Sequence, residues 1–151
     1  MDAENRTTII KSALTVLTVL HAFSRLPEEA SLAEVAAEVD LPKMKAFRAL
    51  NTLVLAGFLS QNPANRKYRL HFPVLELAHK LLDQQSIRAV SHDALQNLAI
   101  ELGEDITVAV LDQNRKQIVF VDRLRGGARI SFFCDVGKRL PLHVGAAGKS
   151  I

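Results

Sequence analysis

Between residues 41 and 75 the chain carries Lys43, Lys45, Arg48, Arg66, Lys67 and Arg69 and no Asp or Glu, although residues 1–40 hold seven acids against three bases. A cationic run of this length has to stay at the surface, and it is the electrostatic footprint of a protein that meets a polyanion. The order of signals inside it narrows the fold. A turn at Asp40-Leu41-Pro42 leads into a helical pattern that closes at Ala56-Gly57. A short hairpin pattern follows, with Asn62-Pro63-Ala64-Asn65 at its tip. We read this as a recognition helix followed by a wing.

Two helices are expected ahead of it. Ile10, Ala13, Leu14, Leu17 and Leu20 recur at three and four, which predicts a helix over residues 8–24 that buries this stripe. Ser31 and Glu34 have capping-box spacing and open a second helix with Leu32, Val35, Ala36 and Val39 inward. Pro42 suits the first position of the third helix. There Ala46, Phe47, Leu50, Leu53 and Val54 are expected in the core, which leaves Lys43, Lys45, Arg48 and Asn51 outside as candidate readers and Met44 free to touch a thymine methyl. Two helices joined by a three-residue turn, the second basic outside, form a helix-turn-helix. In the two-stranded wing, over residues 58–61 and 67–70, Arg66, Lys67 and Arg69 are placed to grip phosphates or reach a minor groove.

After Phe72-Pro73 a linker helix is expected, with Val74, Leu77, Ala78 and Leu81 on one side and a partner subunit as its cover. The polar run over residues 83–86 marks a boundary, so the domains are read as 1–72, 73–86 and 87–151. Beyond it, Leu95, Leu98, Ala99 and Leu102 predict the apolar face of a helix closed by Gly103. Strand-like runs at 106–111, 117–123 and 129–133 then predict a meander behind that helix, so the fold class is α+β.

The same sequence argues against several other functions. No run of eighteen apolar residues suggests a membrane span or a signal peptide, so we expect a cytoplasmic protein. Cys134 is a lone cysteine, read as a small core residue. Gly148-Lys149-Ser150 has the ending of a phosphate-binding loop, but the glycine that motif needs five residues before Gly148 is His143. His21, His71, His79, His92 and His143 fall on separate elements, without metal-ligand or catalytic spacing. We therefore expect no cofactor, no metal and no enzymatic activity.

Taken together, these signals resemble the IclR family of bacterial transcription regulators. The residues that carry the resemblance are Ala13-Leu14, Phe23, Ser31 to Ala36, Leu41-Pro42-Lys43, Arg48, Leu50, Leu53, Gly57-Phe58 and Tyr68-Arg69-Leu70. Its more specific part is Val119 to Arg123, Val136 to His143 and Ala147-Gly148-Lys149. The resemblance implies a winged helix-turn-helix that binds a palindromic operator in double-stranded DNA, as a homodimer or a dimer of dimers, and most often as a repressor. It also implies a GAF-like effector domain, here represented by its first part. There Gly145, Ala146 and Ala147 begin a helix whose backbone N–H groups would hold a small organic acid or an aromatic effector. Where family members often have small hydroxyl residues at the start of the recognition helix, this chain has Met44 and Lys45, so no base contacts carry over. Were Ile151 the natural end, the alternative expectation would be an effector-independent DNA-binding protein, or a decoy that pairs with a full-length regulator.

Overall fold

The computed structural model describes residues 8–84, 86–114, 116–127 and 135–149. The chain forms two compact units that divide between Ala78 and His79. The expected strand at 129–133 and Cys134 lie outside the described residues.

The N-terminal unit holds α1 (Lys11–Ala22), α2 (Leu32–Glu38), α3 (Lys43–Leu55), β1 (Leu59–Gln61), β2 (Tyr68–Leu70) and the start of α4 (Phe72–Asp83). At the start of α2 the Ser31 hydroxyl accepts the Glu34 N–H at 3.3 Å, and Glu34 accepts the Ser31 N–H at 2.7 Å. These bonds hold the Glu34 carboxyl below its ordinary pKa. The helix-turn-helix turn is a Schellman motif: Leu41 N–H bonds to Ala36 C=O at 3.0 Å and Asp40 N–H to Ala37 C=O at 3.3 Å, with Asp40 at φ 49°. Pro42 is the N-cap of α3, outside the helix at ψ 135°, not its first residue as the sequence suggested. Its carbonyl accepts the N–H groups of Lys45 and Ala46. The far end of α3 repeats the Schellman arrangement with Gly57 at φ 78°.

Val19, Phe23, Ala30, Val35, Ala49, Leu50, Leu53, Leu59 and Tyr68 form the core of this unit. Two readings of the apolar faces need correction. On α1 the core side is Val16, Val19 and Leu20, running on to Phe23, whereas Ile10, Ala13, Leu14 and Leu17 are exposed. The helix is apolar on more than one side, and periodicity alone cannot choose between them. On α3 the buried arc is Ala46, Ala49, Leu50 and Leu53; Phe47 sits at its edge, 37% exposed, because one helical step of about 100° carries it out of the arc.

In the wing β1 and β2 pair antiparallel, with Leu59 opposite Leu70 and Gln61 opposite Tyr68. Ala30 adds a third rung: its N–H and C=O bond to Tyr68 at 2.9 and 2.8 Å, which anchors the wing to the segment before α2.

The C-terminal unit takes in the end of α4, then α5 (Ser86–Leu102), β3 (Ile106–Asp112), β4 (Gln117–Leu124), β5 (Arg139–Pro141) and α6 (Gly145–Lys149). The sheet is antiparallel in the order β3-β4-β5. β5, missed in the sequence, is a three-residue strand containing Pro141, too short and too polar to show an alternating pattern. Ala99, Val108, Val121 and Leu124 form the core between α5 and the sheet, with Leu82, Leu95, Ile106 and Val110 half-buried around it. Leu98 and Leu102, expected inside, are 41% and 59% exposed. The inward side of α5 includes His92, Leu95, Gln96 and Ala99, so polar residues occupy places that a hydrophobic pattern assigns to leucines.

Candidate nucleic-acid interface

α3 is held from behind by its buried arc, and everything expected to read DNA stands on its outer side. Lys43, Met44, Lys45, Arg48 and Asn51 are all exposed, joined by Phe47, Thr52 and Leu55. Met44 is 69% exposed and Leu55 90%. None of the charged residues of α3 has a carboxylate partner among the described residues, whereas Arg25, Arg88, Arg123 and Arg139 each pair with an acid. The helix itself contains no acid.

The wing is built differently. Asn62 Oδ1 accepts the Ala64 N–H at 2.9 Å and Asn65 Oδ1 accepts the Lys67 N–H at 2.9 Å, so two successive Asx turns shape the tip. Both asparagine amides then donate to Glu29, at 3.2 and 2.8 Å. Those two bonds, followed by the nearby charges of Arg69 and Lys67, hold the Glu29 carboxyl below its ordinary pKa. Arg66 stands at the tip at φ 59° and is exposed. Arg69 is exposed with its Nε donating to Ser60 Oγ at 3.2 Å, and Lys67 is half-buried near Glu29 and Glu34. The fold thus brings two carboxylates from outside residues 41–75 to a run that contains none. Glu29 is the residue that sequence reading missed; only its position next to Ala30, which bridges to Tyr68, would have pointed to it.

Gly145, Ala146 and Ala147 form the start of α6 in the C-terminal unit, with Gly145 at φ 75°; the first two are exposed and Ala147 is half-buried. Gly148 is packed so closely on the turn before α6 that a Cβ there would lie 2.3 Å from the Leu142 carbonyl oxygen. In the same unit, β4 turns Asp122 toward α5. The register skips Val121, and the bulge sets both Val121 and Asp122 on the helix side. Asp122 accepts from His92 Nδ1 at 2.8 Å and from the Arg123 N–H at 2.9 Å, with Arg88 Nε 3.5 Å away. Burial pushes its carboxyl up, but these partners together hold it below the usual value.

Residues 13–63 match the IclR helix-turn-helix domain, and residues 79–151 match the bacterial transcriptional regulator IclR C-terminal domain. The chain belongs to the IclR family. It is 29% identical over 141 residues to the HTH-type transcriptional regulator XynR of Escherichia coli, covering 93% of this chain and 55% of that protein. It is 26% identical to the transcriptional repressor IclR of Escherichia coli, covering 93% and 52%. Among solved structures, an IclR homolog from Microbacterium hydrocarbonoxydans complexed with 4-hydroxybenzoate aligns at a TM-score of 0.66 with 26% identity, over 87% of this chain and 54% of that one. The chain spans about half the length of the curated relatives it matches. Those IclR-type relatives are transcriptional regulators, and the fold is the α+β arrangement the sequence implied: a winged helix-turn-helix followed by a helix and an antiparallel sheet. No described helix is long and apolar enough to cross a membrane.

Proposed function

We propose that the protein binds double-stranded DNA sequence-specifically, as a dimer on a palindromic operator, and represses transcription under the control of a small organic acid or aromatic effector. The observation that supports this reading is the outer face of α3, where Lys43, Lys45 and Arg48 have no carboxylate partner among the described residues and the helix itself contains no acid. In this reading α3 enters the major groove, with Met44, Phe47 and Asn51 near base edges, and Arg66 and Arg69 of the wing hold the backbone. Residues 73–86 serve as the connector between the DNA-binding and effector domains. Leu77 and Leu81 of α4 are 61% and 58% exposed, and Ile10, Leu14 and Leu17 of α1 are likewise open, which supports a second copy as cover. The repressor named among its relatives supports the direction of regulation, and the 4-hydroxybenzoate held by another relative supports the class of effector, with Gly145, Ala146 and Ala147 on its site.

The test is fluorescence anisotropy on the DNA upstream of the protein's own gene, against a scrambled competitor and at several salt concentrations. Four to six phosphate contacts give a slope of log K on log salt of about −4 to −5 per protomer. Competitor-resistant binding with that slope supports the reading. Binding that ignores salt, or that the scramble competes away in full, refutes it. Adding 4-hydroxybenzoate to the bound complex tests the effector class in the same cell.

A further inference from the structure

The exposed face of α3 has two flanks of different chemistry. Met44, Phe47, Asn51 and Leu55 make one, apolar except for a single amide. Lys45, Arg48 and Thr52, at i, i+3 and i+7, make the other, and that flank is also one wall of an open cleft of about 410 Å³. The opposite wall is the start of α1, which contributes Lys11, Ser12 and Thr15. Three cations and three hydroxyls, together with Val16 and Ala49, therefore line a single cleft; the Thr15 and Thr52 hydroxyls donate to the Lys11 and Arg48 carbonyls at 3.0 and 2.9 Å, which leaves the Ser12 hydroxyl as the donor open to a ligand. Neither helix supplies an acid, and none of the three cations has a carboxylate partner among the described residues. Three like charges that face one open cleft without a carboxylate partner make a local positive potential that draws a polyanion.

We propose that the cleft between α1 and α3 is a DNA phosphate seat, that Lys11 and Ser12 are DNA-contacting residues, and that Lys45 and Arg48 close on the same backbone phosphates instead of reading bases. The proposal rests on the DNA-binding reading above and divides the recognition helix by function. Arg48 offers a planar fork to phosphate oxygens, Lys11 and Lys45 offer point charges, and the Ser12 hydroxyl offers a neutral donor. Gripping the backbone from α1 fixes how α3 rolls in the groove and leaves the Met44, Phe47 and Asn51 flank turned to the base edges. Sequence discrimination then comes from methyl and ring contacts and from the Asn51 amide, which can pair with adenine.

Lys11→Gln and Ser12→Glu in the 151-residue chain test it, with Lys116→Gln in the other unit as a control for net charge. The probe is a short duplex of mixed sequence, so no operator is needed. A lysine that neutralises one phosphate contributes about −0.9 to the salt slope, so the advantage of wild type over Lys11→Gln shrinks about 3.5-fold between about 50 and 200 mM salt. Ser12→Glu weakens binding further, and Lys116→Gln leaves it unchanged. On a site selected from a random pool, Lys11→Gln and Arg48→Gln lose the same factor as on the mixed duplex, whereas Asn51→Ala loses more on the selected site. If Lys11→Gln matches wild type in affinity and slope while Arg66→Gln weakens binding, or if Lys116→Gln costs as much as Lys11→Gln, the seat is wrong though DNA binding stands. If wild type shows no salt-dependent binding to any duplex, the underlying reading fails instead.

Discussion

Asp122 is the buried polar residue whose removal has the most readable consequence. It is 5% exposed, and its carboxylate takes the Nδ1–H of His92 at 2.8 Å and the backbone N–H of its neighbour Arg123 at 2.9 Å. Asp122→Ala leaves that N–H without its acceptor in a part-buried setting, which costs about 1–3 kcal/mol, and removes a charge-assisted bond of similar size. His92 is 46% exposed and the Arg88 side chain 35%, so water takes over much of their loss. We therefore expect a total of about 2–4 kcal/mol, which for a unit of this size lowers Tm by roughly 10–20 °C. Asp122→Asn keeps an acceptor for the Arg123 N–H and loses only the charge, so its cost is expected to be about half. The protein has one tyrosine and no tryptophan, and Tyr68 is buried in the N-terminal core, so tyrosine fluorescence follows that unit while circular dichroism follows both. The expected result is a circular dichroism transition that moves down in the order wild type, Asn, Ala. The pH dependence has a definite sign. The carboxyl is held below its ordinary value, so its contribution is full above the unfolded value of about 3.9 and is lost as pH falls through the folded one. The gap between wild type and Asp122→Asn should close as pH falls below about 4. Variants that melt with wild type, Asn costing more than Ala, or a shift confined to tyrosine fluorescence would each refute the reasoning.

Two other substitutions have outcomes set by backbone geometry. Asp40 sits at φ 49° as the last hinge of α2, so Asp40→Gly should stabilise the helix-turn-helix by about 0.5–1 kcal/mol and raise the tyrosine-reported Tm, while Asp40→Val lowers it; the opposite order would mean the turn is not the Schellman motif described. A Cβ at Gly126 would lie 2.1 Å from the Ala99 carbonyl oxygen and 2.2 Å from that of Glu104, so Gly126→Ala must push β4's exit away from the end of α5, at about 1–3 kcal/mol in urea titrations; an unchanged midpoint would show that this approach is dispensable.

Much of the fold was legible because its punctuation is local. Ser31 with Glu34, Asp40 before Leu41-Pro42, Gly57 and Gly103 each fix an element end through bonds within a few residues, and each end is where the sequence placed it to within a residue or two. What was not legible depends on who packs against whom. α1 offers apolar residues on two sides, so only the tertiary fold decides that Val16, Val19 and Leu20 face the core and that Leu14 and Leu17 do not. α5 meets the sheet partly through His92 and Gln96 because β4, bulged at Val121, presents Asp122 to it. No pattern on either segment alone contains that match.

The candidate site follows the same division. The acid-free stretch pointed to the proposed interface, but it treated six cations as equivalent, and charge counted along a chain says nothing about charge met in space. Folding sorts them. Glu29, delivered by the Ala30–Tyr68 bridge, and Glu34, held in its capping box, both stand near Lys67 and offset part of its charge. Lys45 and Arg48 gain a third cation, Lys11, from a helix that the sequence had assigned to the core alone. On the proposed reading a DNA phosphate is therefore drawn more to the cleft between α1 and α3 and to Arg66 at the wing tip than to Lys67, although all of these residues look alike in the sequence.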